Sequence, residues 1–253
     1  MLRLLGRNYT RVAMRRWTAL VLAGGRGERL RPFTEDRPKP MVFVNDRPLL
    51  HYHLDWLKRG GVDTVYILCG YKHDVIRQYF GSGESVSMSL HYVVEEEPLG
   101  RGGALKRGLS LLPPGLSQVI VTNGDIITDQ SLEELVRARQ EHKALGTVML
   151  APLVCPWGIV VAGDDGRIRE FLEKPALPYW VNAGVYVMDP AIRGYLPDRG
   201  DHETMTFPAL AREGKLYAVK SSALWLAVET AKDLTHACGL LARCGQGGQP
   251  FPP

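Results

Sequence analysis

The sequence is poor in the features that mark several large protein classes. Cysteine occurs four times in 253 residues, at Cys69, Cys155, Cys238 and Cys244, with no Cys-x-x-Cys pair. Such spacing suggests neither a zinc site nor a disulfide framework, and it fits a reducing compartment, so a cytoplasmic location is expected. No stretch reaches the roughly 18 apolar residues that a membrane-spanning helix needs. No internal repeat is visible. The seven histidines show no metal-ligand spacing, and His51 and His53 are expected on a helix surface. Surplus positive charge is also missing from the body of the chain. The formal net charge is +4, yet the first sixteen residues hold five arginines (Arg3, Arg7, Arg11, Arg15, Arg16) and no acid. Taking those five from 31 basic residues leaves 26 against 27 acidic ones. A nucleic-acid-binding domain would need a basic body, which this is not.

What remains is an ordinary apolar content of 45% in a length that suits one large α/β domain or two small ones. Residues 1–16 read as a disordered basic leader, or as sequence ahead of a start at Met14; a targeting segment or surface-binding helix is the alternative. Residues 245–253, rich in Gly, Gln and Pro, read as a disordered tail. Between them a single domain is expected over residues 17–244. It is expected to divide into a first half, to about residue 145, and a second, about 146–235.

In the first half short apolar runs alternate with helical patterns, which points to a mostly parallel sheet with helices on both faces. Strands are expected at residues 19–23, 64–69, 90–94 and 119–122. Helices are expected at 50–59, 74–80 and 103–112, and another after Ser131, where Ser131 and Glu134 have capping-box spacing. After Gly146 the pattern becomes strand-rich, at 147–153, 158–161, 168–173, 181–188 and 223–229. Asp164-Asp165-Gly166 reads as a hairpin turn. This half should be a mixed sheet.

The most informative stretch follows the first strand. Leu22-Ala23-Gly24-Gly25-Arg26-Gly27 closes the apolar run, and Arg29 and Lys39 follow. A strand feeding a glycine turn exposes a row of backbone N–H groups that can cradle an anion, and a Cβ there would block the approach of phosphate. Arg29 and Lys39 can neutralise a polyphosphate that the amides orient. A Walker loop is excluded, because no Lys-Ser or Lys-Thr follows these glycines. A dinucleotide fingerprint is weakened, because Leu30 stands where its third glycine belongs.

Taken whole, Leu22, Ala23, Gly24, Gly25, Gly27, Arg29, Leu30, Pro32, Thr34 and Pro38-Lys39-Pro40-Met41 resemble the signature of the sugar-1-phosphate nucleotidylyltransferases. The resemblance runs to about residue 235. It implies a Rossmann-like α/β fold of the nucleotide-diphospho-sugar transferase type. It also implies a reaction in which an NTP and a sugar 1-phosphate give an NDP-sugar and pyrophosphate. The Pro-Lys-Pro-Met form looks most like mannose- or heptose-1-phosphate guanylyltransferases, which favours GTP and leaves CTP, UTP, ATP and dTTP open.

The resemblance assigns roles residue by residue. Leu22 to Gly27, with Arg29, would bind nucleotide. So would Glu97-Pro98-Leu99-Gly100-Arg101-Gly102, where Gly100 and Gly102 would let backbone reach the base; Arg101 replaces the family's usual Thr. Arg29, Lys39 and Lys174 would be the catalytic cations. Asp125, in Asn123-Gly124-Asp125, would hold Mg²⁺, although a lone Asp at a strand end is more often a turn residue. Trp157, Gly158, Glu173, Lys174 and Asn182 would line the sugar site, drawing on Phe171-Leu172-Glu173-Lys174-Pro175 and Asn182-Ala183-Gly184. Alone, Glu-Lys-Pro is an ordinary exposed strand end.

One departure stands out. The family commonly ends its site with Trp-x-Asp-Ile-Gly-Thr, whose Asp is the second magnesium ligand. Here Trp225-Leu226-Ala227-Val228-Glu229-Thr230 has Ala227 in that place. On a strand, residues two apart share a face, so Glu229 could reach back to the metal, or could be a solvated strand-end residue. Three readings follow: an active nucleotidylyltransferase, with a homodimer as its expected assembly; a non-catalytic nucleotide-sugar-binding subunit, favoured by Ala227; and a glycosyltransferase, which would need an Asp-x-Asp motif that Thr122-Asn123-Gly124-Asp125 lacks.

Overall fold

The computed structural model describes residues 16–245. The expectations for residues 1–15 and 246–253 lie outside the described residues.

The elements in chain order are β1 (Trp17–Leu22), the two-residue strands β2 (Phe43–Val44) and β3 (Arg47–Pro48), α1 (Leu49–Arg59), β4 (Val62–Cys69), α2 (His73–Phe80), β5 (Ser89–Val94), α3 (Gly100–Ser110), β6 (Val119–Asn123), β7 (Ile126–Thr128) and α4 (Leu132–His142). The second half adds β8 (Gly146–Val154), β9 (Ile159–Ala162), β10 (Ile168–Leu172), β11 (Ala176–Met188), α5 (Thr206–Arg212), β12 (Leu216–Lys220), β13 (Trp225–Ala227) and α6 (Ala231–Gly245).

Seven strands form one sheet in the order β12-β8-β11-β6-β1-β4-β5. The pairs β1/β4, β1/β6, β4/β5 and β8/β12 are parallel; β11 runs antiparallel to both β6 and β8. The second half therefore extends the same sheet. Its β9–β10 hairpin stands apart as a two-stranded ladder. The hairpin turns at the expected place: Gly166 takes φ 77° and its N–H reaches the Gly163 carbonyl at 2.9 Å.

Burial explains the layers. Ala19, Val21, Val65 and Ile67 point to one face and pack with Leu50, Leu54 and Leu57 of α1, Ile76 of α2 and Leu135 of α4. Leu20, Leu68 and Val121 point to the other and meet Leu105 and Leu109 of α3 and Leu210 of α5. This is the strand period of two meeting the helix period of 3.6. Ser131 Oγ accepts the Glu134 N–H at 3.3 Å, as the capping-box spacing requires. A third cluster, unforeseen in the sequence, packs Val228, Leu234 and Ala237 against Leu30, Val44 and Leu49. It docks α6 beside the glycine turn.

His53 corrects the sequence reading. It is buried, one ring nitrogen lies 3.2 Å from the Ile126 carbonyl, and its ring packs against Trp56. Burial is the larger influence and pushes its pKa down to about 4.

Candidate active site

The chain moves outward from β1 through β4 to β5, then returns to β6 on the other side of β1. Loops leaving the carboxyl ends of β1 and β6 thus part in opposite directions, and the crevice between them is where open α/β sheets bind ligands. Leu22 and Asn123 pair in register, and the Gly124 N–H binds the Leu22 carbonyl at 2.9 Å. Asp125 is thereby delivered beside the Gly24-Gly25 turn.

That turn has two kinds of glycine. Gly27 takes φ 66°, and a Cβ on it would lie 2.9 Å from Lys39 Cβ, so its bareness admits Lys39. Gly25 has no steric neighbour: a Cβ there would meet nothing within 4 Å. Gly24 and Gly25 line a cleft of about 320 Å³ with Leu22, Glu95, Arg101, Asn123, Asp125 and Glu229. Open space before a bare backbone is what an anion cradle needs.

At the cleft edge four charges converge. Lys39 Nζ donates to Asp125 Oδ2 at 2.6 Å and to Glu229 Oε1 at 2.9 Å, and Arg29 pairs with the other oxygen of Glu229. Lys39 is buried, its ammonium sitting between two carboxylates. The pleat does not place Glu229, because β13 ends at Ala227. The Val228 N–H binds the Asp125 carbonyl at 3.2 Å, and Asp233 Oδ2 accepts the N–H groups of Glu229 at 3.1 Å and Thr230 at 2.9 Å. Thr230 Oγ1 in turn accepts the Asp233 N–H at 3.3 Å, a reciprocal cap at the start of α6. The cap fixes Glu229 where the family's strand Asp is absent.

A divalent cation fits this donor set. Asp125 Oδ1 is buried and has no hydrogen-bond partner among the described residues, while Glu229 shares an ammonium with the same carboxylate. Among the described residues no group of three or more His, Cys, Asp or Glu could hold a metal by itself. Two carboxylates completed by substrate phosphates is the arrangement magnesium favours.

The wall of the cleft around residues 95–102 holds a residue that the sequence reading does not name. Glu97 is largely exposed, pairs with Arg199 at 2.7 Å and is not among the residues lining the cleft. Glu95 lines the cleft instead. Its Oε2 accepts the Leu99 N–H at 3.1 Å, and burial raises its pKa, with that hydrogen bond opposing. Glu three positions before Pro98 was the available signal. Gly100 takes φ 75°, and a Cβ on it would sit 2.5 Å from the Gly200 carbonyl oxygen; at Gly102 it would strike Pro197 and the His202 nitrogen. These two glycines admit the loop 197–202. Gly200 donates to the Leu99 carbonyl and accepts from the Gly102 N–H, both at 2.8 Å.

The expected sugar residues are more dispersed. Trp157 is 74% exposed. Glu173 and Lys174 lie 3.7 Å apart with side chains 65% and 55% exposed. Among the described residues Lys174 forms its ion pair with Glu173 and none with Asp125 or Glu229, the carboxylates that hold Lys39. Gly158 packs under the Phe171 ring and Glu173. Asn182 lines a neighbouring cavity of about 450 Å³ with Glu203. Its amide nitrogen donates to Tyr186 Oη at 2.8 Å and Glu203 Oε1 at 2.9 Å, and its oxygen accepts the Gly184 N–H at 3.0 Å. Asn182 shapes that wall with its hydrogen bonds already made.

A strand-ended glycine turn, paired carboxylates and fixed cations on this sheet order define a nucleotide-handling α/β protein. The family model "Nucleotidyl transferase" matches residues 18–242, and the chain belongs to that family. It is 34% identical over 230 residues to the mannose-1-phosphate guanylyltransferase catalytic subunit beta of Danio rerio, covering 87% of this chain and 63% of that protein. It is 33% identical over 232 residues to the mannose-1-phosphate guanyltransferase of Emericella nidulans, with the same coverage. The chain thus spans about 63% of the length of the curated relatives it matches. Among solved structures it resembles HddC from Yersinia pseudotuberculosis complexed with GMP-PN, at TM-score 0.70 and 25% identity, covering 88% of this chain and 98% of that one.

Proposed function

We propose that this chain catalyses guanylyl transfer from GTP to a sugar 1-phosphate of the mannose type, releasing pyrophosphate. The observation that carries the reading is the convergence of Arg29, Lys39, Asp125 and Glu229 at the mouth of the Gly24-Gly25 turn. In this reaction the nucleophile is a phosphate oxygen, already ionised at neutral pH, so no general base is required. It attacks the α-phosphorus in line, the bond to the bridging oxygen breaks, and the electron pair leaves with pyrophosphate. The barrier is mainly repulsion between anions plus alignment, so catalysis consists of positioning and electrostatic stabilisation.

The residues divide that task. Backbone N–H groups of Gly24 and Gly25 orient the triphosphate. Arg29 and Lys39 take charge from the β- and γ-phosphates and from departing pyrophosphate. Lys174 guides the sugar phosphate, with Trp157, Gly158 and Glu173 around the ring and Asn182 behind. Asp125 and Glu229 would hold Mg²⁺, which supplies charge neutralisation on the phosphates when bound.

Guanine is favoured by Glu95. A carboxylate presents two acceptors, matching the adjacent N1–H and N2–H₂ donors of guanine and opposing the N1 acceptor of adenine. The guanylyltransferase names of the relatives and the GMP-PN in HddC support the same base. A homodimer is part of the proposal, supported by the β9–β10 hairpin, where Val160, Ile168 and Phe171 are exposed and, among the described residues, both ladder edges are unpaired. Sedimentation at two concentrations tests it. No helix among the described residues is long and apolar enough to cross a membrane, and the cytoplasm is the proposed location.

The reading is tested by a panel of ATP, GTP, CTP, UTP and dTTP against several sugar 1-phosphates with magnesium, measuring pyrophosphate. GTP with mannose 1-phosphate is expected to be fastest. Ala227 favours a second reading, a non-catalytic nucleotide-sugar-binding subunit; pyrophosphate from no pair would decide for it.

A further inference from the structure

Gly100-Arg101-Gly102-Gly103 places one long side chain in a run of glycines, on the wall of the nucleotide cleft. Among the described residues two of its three nitrogens, Nε and Nη2, are committed, and Nη1 is left. Nε donates to Asp201 at 2.8 Å, and Nη2 reaches both Asp201 and Glu203, the latter at 2.8 Å. Burial works against the Arg101 charge, but Asp201 and Glu203 outweigh it and hold the group protonated.

A purely structural role would make Arg101 the tie between α3 and the loop 197–203. That loop is already secured. Gly200 exchanges two backbone hydrogen bonds with Leu99 and Gly102. Arg199 pairs with Glu97 at 2.7 Å and Lys106 with Asp198 at 2.8 Å. The two carboxylates on Arg101 do something the other ties do not: they pin one edge of a planar fork and so fix where its remaining donors point. Glu95, on the same wall, offers the opposite pattern, a pair of acceptors.

We propose that Arg101 is a specificity-determining residue for the base, donating to the O6/N7 edge of a guanine whose N1/N2 edge is accepted by Glu95. The proposal rests on the guanylyl reading above and deepens it. With Nε and Nη2 held by the two carboxylates, Nη1 is the donor left for this edge, and arginine donation to it is the commonest way proteins single out guanine. Adenine turns an amino group toward the same donor, and pyrimidines have no N7. With Glu95, both polar edges of guanine would be read, one by acceptors and one by donors.

The test compares kcat/KM for GTP, 7-deaza-GTP and ITP in the wild type, Arg101→Thr and Arg101→Lys. 7-Deaza-GTP lacks N7, and ITP lacks the N2 amine. The wild type is expected to lose about tenfold or more on 7-deaza-GTP, the scale of one charge-assisted hydrogen bond. Arg101→Thr should use GTP and 7-deaza-GTP nearly alike while still discriminating against ITP. Arg101→Lys, which keeps the charge without the pinned guanidinium plane, should recover part of the 7-deaza penalty. Each comparison is a ratio within one enzyme, so a loss of folded fraction cancels. A wild type indifferent to N7, or an Arg101→Thr enzyme with the full 7-deaza penalty, overturns the proposal and leaves the guanylyl reading standing. A wild type that prefers another NTP in the base panel overturns both.

Discussion

Lys39 and Glu229 are 190 positions apart in sequence and 2.9 Å apart in space. The ammonium that joins them also touches Asp125 at 2.6 Å, so one cation from early in the chain organises two carboxylates, one from its middle and one from near its end. Lys39→Ala should lower kcat/KM by two to three orders of magnitude, roughly 3–4 kcal/mol, as expected for losing a preorganised electrostatic group. Lys39→Arg should rescue poorly, because a flat fork does not replace a point charge between two acceptors. Pyrophosphate release measures both.

Glu229→Gln keeps the shape of the side chain and removes its charge. Binding of Mn²⁺, followed by its paramagnetic resonance signal in the presence of GTP, should weaken about tenfold or more. Unchanged Mn²⁺ affinity would leave Asp125 and the phosphates as the only ligands.

Glu95→Gln replaces one of two acceptors with a donor. The kcat/KM for GTP should fall about 30-fold, the cost of losing a charge-assisted hydrogen bond and facing donor to donor. ITP should fall less, since it has no N2 amine to lose. Equal falls for the two nucleotides would remove Glu95 from base reading.

Acid should destabilise the fold through two histidines. Burial depresses His53 and His202 to about 4 from an ordinary 6.5. Between these values the unfolded chain binds protons that the native one does not, so stability rises with pH. Their contribution is complete above about pH 6.5 and is lost as pH falls toward 4, at up to about 1.4 kcal/mol per pH unit for each group. Urea titrations from pH 7 to 4.5 should show this slope, and His53→Gln should remove about half of it.

Much of the fold is legible in the letters because it depends on local pattern. The alternation of apolar runs and helical stripes locates β1, β4, β5 and β6 to within about two residues, and Ser131 with Glu134 marks the start of α4. Gly24, Gly25, Arg29 and Lys39 stand out as candidates because bare backbone after a strand, with cations downstream, has the chemistry of an anion cradle, whereas Asp125 is singled out by the family resemblance. What escapes the letters depends on tertiary packing. Nothing near Gly100 announces that Gly200 will press against it. His53 looks exposed until β7 covers it. Glu95 and Glu97 are neighbours in an acidic run, and only the turn of the chain after β5 decides which enters the cleft. Glu229 does come within reach of Lys39, but the strand period is not the cause: the Thr230–Asp233 cap positions it.

The Leu99–Gly200–Gly102 contact carries a mechanical consequence. Two short backbone bonds with no side chain between them make that junction stiff in both tension and compression. The wall bearing Glu95 and Arg101 therefore moves together with α5 and the loop before it, as one jaw.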